Sequence, residues 1–145
     1  MDKNDIIAKL PYTEPFLFVD RILHIDENSV TASYTFDESL DFYNGHFTDN
    51  PVTPGAILTE TMAQAGLVCL GIFILNDPDN KTTAMALTSV QTEFLKPVYP
   101  NETVTVFSEK IYFRFGKLKC RVRMQNEAGE TVCSGVIAGM IINTL

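Results

Sequence analysis

The chain is poor in the residues that staple small secreted domains. Its 145 residues include three cysteines, Cys69, Cys120 and Cys133. The number is odd and no CxxC pair occurs, which argues against a disulfide framework and predicts buried free thiols in a reducing cytosol. Only two histidines are present, His24 and His46. No segment is of low complexity or repeated, which argues against solenoid and disordered classes. The opening MDKNDIIAKLPY lacks the apolar stretch of a signal peptide, so a cytoplasmic protein is expected. The longest uninterrupted apolar run, residues 65–75, is eleven residues long, too short to span a bilayer. Net charge is -7, which argues against a nucleic-acid partner.

What is present suits one domain, residues 1–145, with 46% hydrophobic and 20% charged residues. A chain of this size builds a core without metal or disulfide support, and no metal or cofactor is expected. Asp5 to Leu10 reads as a short helix stopped by Pro11. Phe16–Asp26 and Val30–Phe36 read as two strands of a hairpin turning at Asp26-Glu27-Asn28-Ser29. Thr53-Pro54 is a helix start, with Thr53 as N-cap, and the helix runs to about Leu75 before Asn76-Asp77-Pro78. Its apolar residues point in every direction, as in a helix buried on most sides. Strands follow over Thr82–Phe94, Thr103–Phe113 with a bulge near Phe107-Ser108, Lys117–Met124 and Thr131–Ile142. One helix cannot cover both faces of six strands, so the expected fold is α+β, a curved antiparallel six-stranded sheet wrapped around one long central helix. Its exposed edges favour dimers.

Three chemical features lie close together in the sequence. His46 follows Gly45 in a polar loop. Gly55 falls in the first turn of the long helix, where backbone N–H groups have no intrahelical acceptor and attract negative charge. Glu60 sits among apolar neighbours, and a carboxylate brought toward a core needs a partner or a raised pKa. A solvent-facing stripe shared with Gln64 accounts for Glu60 equally well, and a lone loop histidine is most often a surface residue. His24, beside Asp26, reads as structural or surface. If they converge, an imidazole, a helix-start amide and a carboxylic acid suit proton removal next to a carbonyl, followed by loss of a leaving group on the next carbon.

Gly45-His46-Phe47, Pro51-Val52-Thr53-Pro54-Gly55 and Glu60-Thr61-Met62-Ala63-Gln64 together closely resemble the signature of the bacterial 3-hydroxyacyl-[acyl-carrier-protein] dehydratases. Pro15-Phe16-Leu17-Phe18-Val19-Asp20-Arg21 and Phe94-Leu95-Lys96-Pro97-Val98-Tyr99-Pro100 are similar to two further family stretches. The resemblance implies the hotdog fold, with active sites at a dimer interface and, in many members, a trimer of dimers. It implies His46 as the base, Glu60 as the acid acting on the departing hydroxyl, and the Gly55 N–H on the thioester oxygen. Phe47 and Gln64 are expected beside them as substrate-binding residues. Glu60, where isomerising relatives carry Asp, favours plain dehydration. The chain departs from the family pattern at Pro11-Tyr12-Thr13-Glu14, where Pro-His-Arg is common, and at Thr48 and Thr53. These departures leave ordinary fatty-acid elongation and a specialised polyene or aryl-polyene chain both open as the source of substrate.

Six of the eleven basic residues lie between Lys110 and Arg123, and no acid occurs between Lys110 and Glu127. Lys117, Lys119, Arg121 and Arg123 alternate with apolar residues on one strand, giving it a cationic face. That face suits docking of an acidic acyl carrier protein bearing a phosphopantetheine-linked chain, or it is only a solvated surface. Other open readings are a hotdog thioesterase, with Glu60 activating water, and a non-catalytic acyl-binding subunit paired with a related hotdog chain.

Overall fold

A computed structural model describes residues 1–76 and 84–142. A short helix α1 (Lys3–Ala8) is followed by strands β1 (Arg21–Ile25) and β2 (Ser29–Thr35) and a 3-10 turn at Asp41–Asn44. The central rod has three parts, α2 (Gly55–Ala63), a π-helical turn (Gln64–Val68) and α3 (Cys69–Leu75). Strands β3 (Ala84–Phe94), β4 (Thr103–Arg114), β5 (Lys117–Gln125) and β6 (Thr131–Ile142) complete one antiparallel sheet in the order β1-β2-β4-β5-β6-β3. This is the architecture the residue pattern predicts.

The rod is the core. Every residue from Thr61 to Ile72 is buried, and Met62, Leu67 and Leu70 belong to one cluster with Val106, Leu118, Val122, Met124 and Ile137. Each large side chain so buried contributes about 1.5–3 kcal/mol. The rod is long and apolar enough for a bilayer, yet 72% of its most apolar window lies inside the fold. The three cysteines are buried and free. Burial pushes the Cys69 and Cys133 thiols up to about 12, so they are poor nucleophiles.

Several boundaries differ from the sequence expectation, each for a local reason. Helix α1 starts at Lys3 because Asp2 and Asp5 form a reciprocal capping box. Thr53 is not the N-cap of the rod: Pro54 holds that position, and the Thr53 hydroxyl pairs with the Tyr43 phenol instead. The first strand begins only at Arg21, because backbone groups of Phe16 and Phe18 bond to the Gln64 side chain. Phe107 and Ser108 are in regular register, and the bulge falls between Lys110 and Tyr112. Ser108 faces inward because its hydroxyl donates to the Gly66 carbonyl at 2.8 Å. Gly66 lies inside the π-turn, where a Cβ would meet Ser108 and Val122 atoms at 3.0 Å. The expected strand residues Thr82 and Thr83 lie outside the described residues.

Strand β3 forms one edge of the sheet, with β6 as its neighbour. It is eleven residues long and carries one charge, Glu93. Leu87, Val90 and Phe94 are each more than 40% exposed. Natural edges are usually shortened, bulged or charged to prevent pairing; β3 has an irregularity between Leu87 and Ser89, yet its length, single charge and exposed Leu87, Val90 and Phe94 predict pairing with a second chain. The parent is expected to sediment as a dimer and Val90→Lys as a monomer in sedimentation velocity, with the far-ultraviolet spectrum unchanged. A dimer that persists would place the interface elsewhere.

Candidate active site

His46 is set by its loop. The Val52 N–H donates to the His46 carbonyl at 2.8 Å, and the His46 Nδ1 lies 2.9 Å from the Val52 carbonyl oxygen. A carbonyl only accepts, so Nδ1 carries the hydrogen. The neutral ring therefore presents a bare lone pair at Nε2. Phe47 stacks on the imidazole, with ring centroids 4.3 Å apart and planes inclined by 24°. Phe47 itself is 60% exposed, so one face of the stack stays open. His24, by contrast, pairs with Asp26 at 2.9 Å on the surface.

Gly55 opens the rod. Ile57 and Leu58 both donate to the Pro54 carbonyl, while among the described residues the Gly55 N–H has no acceptor. The start is anchored from the side by the Thr53 N–H on the Val98 carbonyl at 2.8 Å. The Phe94 ring lies so close that a Cβ on Gly55 would meet it at 3.2 Å. A side chain here would have to displace the ring by a few tenths of an ångström. A cleft of about 430 Å³ adjoins the position, lined by Thr53, Gly55, Leu58, Phe94, Leu95 and Pro97 among others.

Glu60 is partly buried one turn further in. Desolvation raises its pKa, and a hydrogen bond from Gln64 partly offsets the rise. That bond, Gln64 Nε2 to Glu60 Oε2, measures 3.0 Å. Gln64 is fully buried. Its second N–H donates to the Phe16 carbonyl at 3.0 Å, and its oxygen accepts from the Phe18 N–H at 2.8 Å. Both N–H groups of Gln64 are thus engaged by groups of its own chain. The Tyr12 phenol feels the same carboxyl. Burial first, and then the Glu60 charge, push it up to about 12.

Within one chain, among the described residues, no hydrogen bond or ion pair joins His46 to Glu60. Nor do any three of His, Cys, Asp and Glu converge there as metal ligands would. The basic residues form a separate surface. Lys117, Lys119, Arg121 and Arg123 line the outer face of β5, which is an interior strand of the sheet. Arg123 stacks 4.2 Å above the Phe107 ring, and Arg121 lies opposite Glu109. Their groove of about 300 Å³ shares no lining residue with the cleft at Gly55. Sequence reasoning missed Phe94 and the Val52 carbonyl, which long-range folding and loop closure supply. It flagged Tyr12 only as a departure from a pattern.

The raised pKa of Glu60 has a stability consequence. A carboxyl whose folded pKa lies above its unfolded value contributes fully below the unfolded pKa, and that contribution is lost as pH rises through the folded pKa. Glu60→Gln keeps the acceptor for Gln64 and removes the charge. Thermal unfolding at pH 7.5 is expected to show a higher midpoint than the parent. The gain should vanish below the ordinary carboxyl value of 4.5. An equal gain at both pH values would show that charge burial is not its cause.

Comparison with known proteins bears on the family and the fold. The FabA-like domain profile matches residues 10–134. A 3-hydroxyacyl-[acyl-carrier-protein] dehydratase FabZ from Thermus thermophilus is 37% identical over 134 residues, 90% of each chain. That of Clostridium perfringens is 34% identical over 142 residues, 94% of this chain and 96% of its own. Among solved structures, the dehydratase heterocomplex ApeI:P from Xenorhabdus doucetiae superposes with a TM-score of 0.81 at 14% identity, covering 96% of this chain and 91% of that one. A mutant thioesterase from Pseudomonas aeruginosa superposes at 0.72 with 15% identity, covering 98% and 94%. Those two likenesses bear on the fold alone. With its profile match, its FabZ relatives and its sheet curled around one rod, the chain belongs to the bacterial 3-hydroxyacyl-[acyl-carrier-protein] dehydratase family of hotdog proteins.

Proposed function

We propose that this protein dehydrates carrier-bound 3-hydroxyacyl thioesters to trans-2-enoyl thioesters. The observation that carries the reading is the Nδ1–H of His46 on the Val52 carbonyl, which leaves Nε2 as a base. Nε2 takes the proton from the carbon next to the thioester carbonyl. The Gly55 N–H donates to the thioester oxygen as enolate charge develops. The electron pair left by the C–H bond forms the carbon–carbon double bond, and the bond to the 3-hydroxyl breaks. Glu60, held toward its protonated form by burial, gives that hydroxyl the proton with which it leaves as water. Solvent then returns the His46 proton to Glu60, so the two groups reset without a cofactor. Phe47, stacked on the base and otherwise open, borders the substrate.

The absence of any bond between His46 and Glu60 within one chain suits a site built from two subunits, His46 from one and Glu60 from the other. The long β3 edge is the surface on which we propose that a second copy pairs. The outer face of β5 would receive the carrier: Arg121 and Arg123 line the groove beside Phe107, Lys117 and Lys119 extend the row along the strand, and an acidic carrier protein complements that charge in a molecule otherwise at net -7.

His46→Ala is expected to slow formation of the conjugated enoyl absorbance by about 10²–10⁴-fold with a pantetheine-linked 3-hydroxyacyl substrate. Parental turnover would defeat the assignment, and thiol release without an enoyl product would mark thioester hydrolysis instead. The carrier surface has its own check. Arg121→Glu should lower kcat/KM for the carrier-bound substrate by about tenfold at low salt, and leave the pantetheine-linked substrate unaffected. Equal effects on both substrates, or none, would remove β5 from the docking surface.

A further inference from the structure

The three hydrogen bonds of Gln64 fix more than a side-chain rotamer. A carboxamide in isolation can turn over, exchanging its oxygen and nitrogen. Here it cannot, because its two outer partners are backbone groups of opposite kind. The Phe18 N–H needs an acceptor, which only Oε1 supplies. The Phe16 carbonyl needs a donor, which only Nε2 supplies. A flipped amide would set N–H against N–H and oxygen against oxygen at a fully buried position. The second hydrogen of Nε2 is therefore always aimed at Glu60 Oε2.

This settles which oxygen of Glu60 carries the acidic hydrogen. Oε2 receives an N–H whether the carboxyl is charged or neutral, so it serves as the carbonyl-like oxygen. Among the described residues Oε1 has no protein partner. We propose that Gln64 is a positioning residue which, locked by the backbone of Phe16 and Phe18, confines the proton of Glu60 to Oε1 and points it at the substrate hydroxyl. This rests on the reading of Glu60 as the acid, and it assigns Gln64 a role through Glu60 rather than a contact with substrate. It also makes the acid dependent on the N-terminal segment. If residues 16–18 leave the rod, the amide is free to turn and the carboxyl loses its orientation.

The Tyr12 phenol, which feels the Glu60 charge from the neighbouring segment, stays protonated through neutral pH. On its own helix Glu60 meets Gln64, which does not titrate. In the two-subunit site proposed above, His46 of the second copy also approaches Glu60, so a pH response at the Gln64 amide is assigned to Glu60 where it survives His46→Ala and disappears in Glu60→Gln.

The test uses the intact resting protein labelled with ¹⁵N. The two Gln64 side-chain amide protons, assigned by their disappearance in Gln64→Met, are followed from pH 4 to pH 9. One is expected to move downfield as Glu60 ionises, and the other, bound to the Phe16 carbonyl, to stay in place. The response should disappear in Glu60→Gln. Two amide protons that both ignore pH, or both move alike, would overturn the proposal, and neither result depends on turnover. If Gln64→Met folds, its kcat should fall about 10- to 100-fold with KM little changed, and the ¹³C carboxyl resonance of Glu60 should titrate at higher pH because a donor to the charged form is gone. A Glu60 that titrates as in the parent would also overturn it. If one amide proton follows pH but Glu60→Gln still dehydrates at the parental rate, the placement stands and the role of Glu60 as acid falls.

Discussion

The constraint on which the molecule depends is a helix that is apolar on every side. Such a rod has no face to leave in water, so the sheet must curl until it covers the rod from several directions. The contacts of Leu67, Leu70 and Met62 with residues of β4, β5 and β6 carry that requirement. Everything polar along the rod is then forced to find a partner inside the chain. Thr61 turns back to the Ile57 carbonyl, Gly66 offers its carbonyl to Ser108, and Gln64 reaches the segment before β1. Glu60, nearest the start of the rod, is the one ionisable group left between core and surface. Its perturbed chemistry follows from where the rod enters the fold.

Much of this was legible in the chain. The alternation of Leu118, Cys120, Val122 and Met124 with four cations identified β5 and both of its faces. The Pro54-Gly55 start and the Asn76 end bounded the rod to within a residue. What could not be read were features that depend on a distant partner. Ser108 looked like a break in the β4 pattern because its acceptor, a carbonyl in the π-turn, lies 42 residues away. Phe16 to Asp20 looked like strand because they are apolar, yet Phe16 and Phe18 spend backbone bonds on a side chain. The site divides in the same way. His46, Gly55 and Glu60 stood out by residue type and spacing, while the tautomer of His46 depends on a loop closure that no spacing rule describes.

Acid and base are held apart by different means. His46 keeps its lone pair through one backbone bond in an open loop. Glu60 keeps its proton through burial, moderated by one amide. Groups controlled by separate causes can be tuned independently, so a change in the loop leaves the carboxyl untouched and a change along the rod leaves the imidazole untouched. The basic face of β5 is separate again, since its groove and the cleft have no residue in common.

Phe94 is the last residue of β3, at the border of the sheet, and its ring also packs against Gly55 on the side where a Cβ would stand. One strand thus serves as both rim and wall. A shift in the rim is transmitted to the wall along a single stiff backbone, with no relay through the core. Moving that ring would change the room beside the first turn of the rod, where a developing oxyanion would sit. The shape of the anion site is in this way tied to how firmly the outermost strand is held.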